Sequence, residues 1–204
     1  RSKKPLSTWE SFYVALYALD QKKNHAAEKL LSKAYETTNN IWIGYELASL
    51  LENKKEYTTV VSILKNYLTV WPNNRWAKLK LALNFDFLKA PDLAETLYQE
   101  MISQDPNDET ALNNLAWMYL TTKNLKYHKV EDAIKLASRA VNNKSSAANL
   151  DTLAEAFFQN KQFNKALSTI SRAIDIARSN QDYFKKQRKK IQKAIRDTQK
   201  STTP

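Results

Sequence analysis

Apolar residues recur along this chain at helical spacing, in paired amphipathic stretches separated by short polar turns. Pro72 and Pro106 lie 34 residues apart. Each follows an apolar-periodic stretch and ends it, because proline cannot continue a helix. In the same register Leu47-Ala48 precedes Leu81-Ala82, and Leu51 precedes Phe85, by the same 34 residues. Val60 and Ala94, Leu64 and Tyr98, and Tyr67 and Met101 keep that spacing, and Leu115-Ala116 with Tyr119 continue in step. A period of this length in a helical pattern predicts helical hairpins. Each hairpin exposes an apolar face that it cannot bury alone, and stacked neighbours bury it.

The last copy begins at Ala147 and carries Leu150, Leu153-Ala154, Phe157, Ala166, Ile170 and Ala173. The copy from Glu109 carries Leu112, Leu115-Ala116 and Tyr119, then Ala133, Ala137 and Ala140 after a longer turn within residues 125–130. The first copy, near Thr8, is the loosest, with Val14-Ala15, Ala18, Ala27, Leu31 and Ala34. This register resembles the tetratricopeptide repeat family, whose pattern runs W-x2-L-G-x2-Y…A-x3-F…P over about 34 residues. The resemblance implies an all-α fold, a right-handed α-solenoid of about five helical hairpins with a C-terminal capping helix. It spans residues 7–180, with repeats near 8–40, 41–74, 75–108, 109–146 and 147–180. Two departures stand out. The small residue of the first helix is Ala in every copy (Ala15, Ala48, Ala82, Ala116, Ala154), and the usual hairpin-turn glycine is absent. A lysine lies near each turn instead: Lys22, Lys55, Lys89, Lys123 and Lys161. A cation at a helix C-terminus suits the dipole, at roughly 0.3–1 kcal/mol.

Both ends of the stack have a reading. Ser7 with Glu10 three residues later predicts a capping box for the first helix. Residues 181–199 predict a basic amphipathic capping helix, with Phe184, Ile191 and Ile195 on one face and Tyr183 and Ala194 alongside. The opposite face holds Lys185, Lys186, Arg188, Lys189, Lys190, Lys193 and Arg196. Residues 200–204 read as a frayed tail. The chain opens on Arg1 rather than Met, with Pro5 close behind, and reads as a fragment or processed product.

Composition narrows the chemistry. One glycine (Gly44) and five prolines among 204 residues argue against β-hairpins, sandwiches and barrels. There is no cysteine, hence no disulfide, zinc knuckle or thiol nucleophile. The two histidines, His25 and His128, fall in turns without a second ligand nearby, and no His-x-x-x-His or Glu-x-x-His spacing occurs. A phosphate-cradling loop needs several glycines so that backbone N–H groups can approach the anion. No Gly-x-Ser-x-Gly elbow exists. Asp151 and Glu155, one helical turn apart, read as a solvated acidic pair. The expectation is a protein that is not an enzyme, with no catalytic residues, no cofactor and no metal.

By the resemblance, the first helices of the hairpins line a concave groove. The groove-facing slots hold Trp9, Phe12, Leu16 and Leu19, then Trp42, Tyr45, Ser49 and Glu52, then Trp76, Leu79, Leu83 and Asp86. The fourth copy gives Thr110, Asn113, Trp117 and Leu120, and the fifth Ala148, Asp151, Glu155 and Phe158. Tryptophan opens three successive copies in a slot that the core pattern does not demand. A rigid indole is a favoured interface anchor. The expected partner is therefore another protein, a helix or extended segment with apolar anchors, gripped by Trp9, Phe12, Trp42, Tyr45, Trp76, Leu79, Leu83 and Trp117. Two other readings stay open: the tryptophans widen the core, or an upstream helix covers Trp9 and Phe12. Some tetratricopeptide cochaperones grip a C-terminal carboxylate with Lys, Asn and Arg on successive inner helices. Here the matching slots hold Tyr45, Ser49, Lys80, Thr110 and Asn114, which do not assemble that clamp.

The net charge of +11 raises a second possibility. Residues 181–200 carry eight Lys or Arg against Asp182 and Asp197, a surplus of six. The ordinary reading is a solvated cap. The alternative is an adaptor that docks on an anionic membrane surface, each base near the surface being worth roughly 1 kcal/mol. Nucleic acid is less favoured, because no aromatic interleaves the basic cluster and only salt-sensitive phosphate contact remains. The stretches around Leu112 and Leu150 look like tandem repeats common in bacterial proteins, with cytoplasm and envelope both open.

Overall fold

The computed structural model describes residues 6–201. Residues 1–5, with Arg1 and Pro5, and residues 202–204 of the expected frayed tail lie outside the described residues. Eleven α-helices and one 3₁₀ turn, with no strand, make up the secondary structure among the described residues. They run as α1 (Thr8–Asp20), α2 (Asn24–Thr38), α3 (Ile41–Asn53), α4 (Tyr57–Val70), α5 (Arg75–Phe87), α6 (Pro91–Gln104), α7 (Glu109–Thr121), α8 (Val130–Asn143), α9 (Ala147–Gln159), α10 (Phe163–Ile176) and α11 (Gln181–Ser201). This is an all-α helical repeat fold.

The chain divides into two compact units, the first ending at Leu88 and the second beginning at Lys89. In the first, α1 packs on α2, α2 on α3, α3 on α4 and α4 on α5. In the second, α6 packs on α7, α7 on α8, α8 on α9, α9 on α10 and α10 on α11, with α7 also against α9.

Helix starts follow from side-chain chemistry. The first helix of every hairpin is capped by a short polar residue: Ser7, Asn40, Asn74, Asp108 or Ser146. Each side chain accepts a backbone N–H that would otherwise lack a partner, worth about 1 kcal/mol. At Ser7 the expected capping box is complete. Glu10 N–H donates to Ser7 Oγ at 3.3 Å, and Ser7 N–H donates to Glu10 Oε2 at 2.7 Å. The second helices α2, α4, α6, α8 and α10 have no side-chain cap.

Their starts are set by the turn before them. Lys22, Lys55, Lys89 and Lys161 all hold φ near +60°, in the left-handed region that favours glycine. Lys22 N–H donates to Leu19 O and Lys23 N–H to Ala18 O, the paired bonds of a Schellman turn. The same pair recurs at Lys55 with Glu56 and at Lys161 with Gln162. These lysines therefore stand in for the absent turn glycine, a backbone role beyond the charge that the sequence displays. The fourth hairpin differs: Lys123 is not left-handed, and its longer turn closes through a 3₁₀ segment, Leu125–Tyr127.

Small residues let the helices approach. Ala15, Ala48, Ala82, Ala116 and Ala154 are all buried, as are Ala27, Ala94, Ala133 and Ala166 in the second helices. Gly44 takes this further. A Cβ there would stand 2.8 Å from the Tyr35 ring edge and 3.2 Å from Ile63 Cγ2. The absence of a side chain on α3 thus makes room for the α2 tyrosine.

Candidate partner-binding site

In the first unit Tyr45 of α3 and Trp76 of α5 meet, while the other expected groove residues of α1, α3 and α5 differ in their surroundings. Trp42 is 61% exposed and Trp9 51% exposed, with the Phe12 ring edge-on to Trp9 at 5.9 Å between centroids. Trp76 is half-buried: Tyr45 lies over it at 4.2 Å and Tyr67 meets it edge-on at 6.0 Å. Leu79 and Leu83 are half-buried on the same helix. The far end of this face is polar, and Asn84 Oδ1 is buried there with no hydrogen-bond partner among the described residues. Lys80 pairs with Glu52, and Asn84 Nδ2 donates to the same carboxylate at 2.7 Å.

Apolar exposure extends to residues that the groove slots do not include. On α1, Tyr13, Val14 and Tyr17 are exposed, Tyr17 at 67%. The residues aligned with Tyr17 in the other copies are Leu50, Asn84, Met118 and Ala156, and all four are buried. Those aligned with Val14 are Leu47, Leu81, Leu115 and Leu153, also buried. Comparison of the copies would have singled out this face, because core-register residues of α1 have no described helix before them.

In the second unit Trp117 is 36% exposed. It lines a cavity of about 560 Å³ with Asn113, Asn114, Asp151, Thr152 and Tyr183. Tyr183 Oη donates to Asp151 Oδ2 at 2.9 Å. Burial pushes the Asp151 carboxyl up to about 6, against the opposing pull of that hydrogen bond, and the neighbouring Glu155 charge adds to the rise. Burial likewise pushes the Tyr183 phenol up to about 12. The sequence placed Asp151 on a solvated face; the tyrosine from α11 that meets it gave no signal there.

The bases of α11 divide into two groups. Lys185, Lys186, Lys189, Lys193 and Arg196 are exposed or half-exposed, with Lys185 3.8 Å from Asp182. Lys190 instead reaches Glu155 on α9 at 2.7 Å and sits over the Phe158 ring, 4.2 Å from its centroid. Arg188 is half-buried, and its Nε has no hydrogen-bond partner among the described residues. Phe184 and Ile191 are buried on the opposite face.

His25 and His128 are both exposed. Among the described residues no group of three or more His, Cys, Asp or Glu is placed to hold a metal ion. No described helix is long and apolar enough to cross a membrane.

No family model matches the sequence, and no curated protein matches it. Solved structures do resemble it. MamA (residues 41 to the end) from Desulfovibrio magneticus RS-1 superposes with a TM-score of 0.71 at 16% identity, covering 85% of this chain and 96% of that one. A thermophilic TPR protein of Thermus thermophilus gives 0.66 at 13% identity, covering 93% of this chain and 99% of that one. YrrB, a TPR protein with an unusual peptide-binding site, gives 0.63 at 16% identity over 85% of this chain and 88% of its own. At such identities the likeness is one of fold. The chain has the tetratricopeptide-type helical repeat fold that its register implied.

Proposed function

We propose that this chain is a non-catalytic protein–protein interaction scaffold. The inner-helix face of its first unit receives a partner segment with apolar anchors, on a floor made by Trp42, Tyr45, Trp76 and Leu79. The observation that carries this reading is the 61% exposure of Trp42 beside the Tyr45–Trp76 stack. A large indole held out from a structured aromatic floor gains by burial against a partner, and tryptophan is enriched where interface energy concentrates. The repeat fold supports the class of function, and YrrB offers a precedent in its peptide-binding site.

The test is capture from native lysate, with nuclease, at low and moderate salt, beside a Trp42→Ala/Trp76→Ala variant. A protein that survives salt and nuclease but is lost with the two tryptophans supports the reading. Capture that vanishes with salt or nuclease, and ignores the tryptophans, moves the function to α11. That second reading has its own observation: Lys185, Lys186, Lys189, Lys193 and Arg196 reach solvent while Phe184 and Ile191 are buried. Such a helix presents charge outward, which suits an anionic membrane surface.

A further inference from the structure

We infer that the exposed face of α1 pairs with the same face of a second copy of this chain, antiparallel and about a two-fold axis at Tyr13. The contact does not draw on Trp42 or Trp76, so it stands or falls apart from the partner-binding floor.

Three aromatic rings line that face. Trp9, Tyr13 and Tyr17 stand four residues apart in turn, and each is more than half exposed. On an α-helix this spacing makes one stripe about 12 Å long. Leu6 and Val14 flank it, 51% and 43% exposed. The repeat pattern does not ask for an aromatic at its centre. The slot of Tyr13 holds Glu46, Lys80, Asn114 and Thr152 in the other copies, all polar. Nor is the face suited to another hairpin of the same stack. The slot of Glu10 holds Ile43, Ala77, Ala111 and Asn149 in the other copies, and all four are buried. A hairpin packed there in the same way would bury the Glu10 carboxylate, at a heavy desolvation cost. Glu10 is instead exposed and closes the capping box with Ser7.

The stripe is its own complement. An isologous dimer needs a patch that matches itself across a two-fold axis. Rings at positions 9, 13 and 17 read alike from either end. In an antiparallel pair centred on Tyr13, Trp9 meets Tyr17 of the other copy, and the two Tyr13 rings meet each other. Asp20, the last residue of α1, then falls at the first turn of the other copy's α1, where a carboxylate suits the helix dipole. Helix α1 has no Lys or Arg, so the overall charge of +11 does not gather at this contact. The area is sufficient. At about 200 Å² for each ring, the exposed parts of the stripe and its flanks come to roughly 500 Å² per copy, and about 1,000 Å² in the pair, the lower bound for a specific interface. A dimer of that size is weak and concentration-dependent.

The experiment is sedimentation velocity on the whole chain over a concentration series, beside Tyr13→Lys/Tyr17→Lys. The unmodified chain is expected to pass from monomer to dimer. The double variant is expected to keep its helical circular dichroism and to dimerise about tenfold more weakly or worse, the usual loss when anchor rings leave an interface. The chain has no cysteine, so single introduced thiols report the register. Tyr13→Cys is expected to form a disulfide-linked dimer on mild oxidation. Asp20→Cys should not link to itself, but should link to Leu6→Cys when the two are mixed. A chain that stays monomeric up to about 1 mM overturns the proposal, whether or not α1 captures some other protein. A dimer that forms as readily in the double lysine variant, or Asp20→Cys that links to itself, overturns it too.

Discussion

The ring of Tyr45 lies 4.2 Å from that of Trp76, centroid to centroid, tying α3 to α5 on the inner-helix face. Trp42 opens the preceding copy in the same slot yet stands 61% exposed. Two residues alike in sequence register therefore do different work. Trp76→Ala opens a gap beneath Tyr45 and Tyr67, and urea unfolding is expected to show a loss of about 2–3 kcal/mol, below the about 3–5 of a fully buried aromatic because Trp76 is half-buried. Trp42→Ala is expected to stay within about 0.5 kcal/mol, as exposed substitutions do, while removing partner capture by itself. Equal stability losses in the two variants would place both rings in the core.

The difference between these tryptophans has a cause that can be traced in the sequence only once the structure is known. The ring that meets Trp76 edge-on is Tyr67. The residue aligned with Tyr67 one copy earlier is Ala34, which has no ring to lay over Trp42. The 34-residue register carried the helix starts, because each is fixed locally by Ser7, Asn40, Asn74, Asp108 or Ser146. The longer fourth turn shows as the wider spacing between Ala116 and Ala154. The polar half of the candidate surface was less legible. Asp151 and Tyr183 are 32 residues apart and meet only because α11 follows α10 in the stack. Lys190 reads as one more base of a basic stripe until Glu155 and Phe158 are seen beside it.

The turn lysines separate a backbone role from a charge role. A non-glycine residue in the left-handed region costs about 1–2 kcal/mol, part of which glycine returns as unfolded-chain entropy. Lys22→Gly, Lys55→Gly and Lys161→Gly are each expected to raise stability by about 0.5–1 kcal/mol in thermal or urea unfolding. Lys→Ala at the same sites removes the charge and keeps the strain, so it should give no gain. Lys123→Gly, where φ is not positive, should give none either. If Gly and Ala variants lose stability alike at all four sites, the lysines act through the helix dipole instead.

The α11 bases should divide in the same way. Lys190 combines a partly exposed ion pair with a ring contact, each worth about 0.5–1 kcal/mol. Lys190→Gln is expected to destabilise by about 1 kcal/mol and to speed amide exchange along α11. Neutralising Lys185, Lys186 and Lys189 together should leave stability unchanged within about 0.5 kcal/mol. That triple variant should also release the chain from anionic vesicles if α11 is a docking stripe. Vesicle association that persists in it removes the membrane reading.

Asp151 makes the stability of the second unit depend on pH in an unusual direction for a carboxylate. Its pKa is about 6 in the folded chain against an ordinary 3.8, so the native state holds the proton more tightly than the unfolded one. The ionised carboxylate destabilises the fold fully above about pH 6, and the penalty is relieved as pH falls toward 3.8. A displacement of that size corresponds to about 3 kcal/mol in a dry site. Asp151 is partly solvated, so ~1–2 kcal/mol is the expected penalty at neutral pH. Asp151→Asn keeps an acceptor for Tyr183 and removes the charge. It should therefore raise stability at neutral pH by about 1 kcal/mol and flatten the profile between about pH 4 and 6. Unfolding midpoints across that range decide the matter. A variant that is less stable at neutral pH makes Asp151 a structural anchor of α11. A variant that is more stable there shows a charge that the fold holds at the expense of stability.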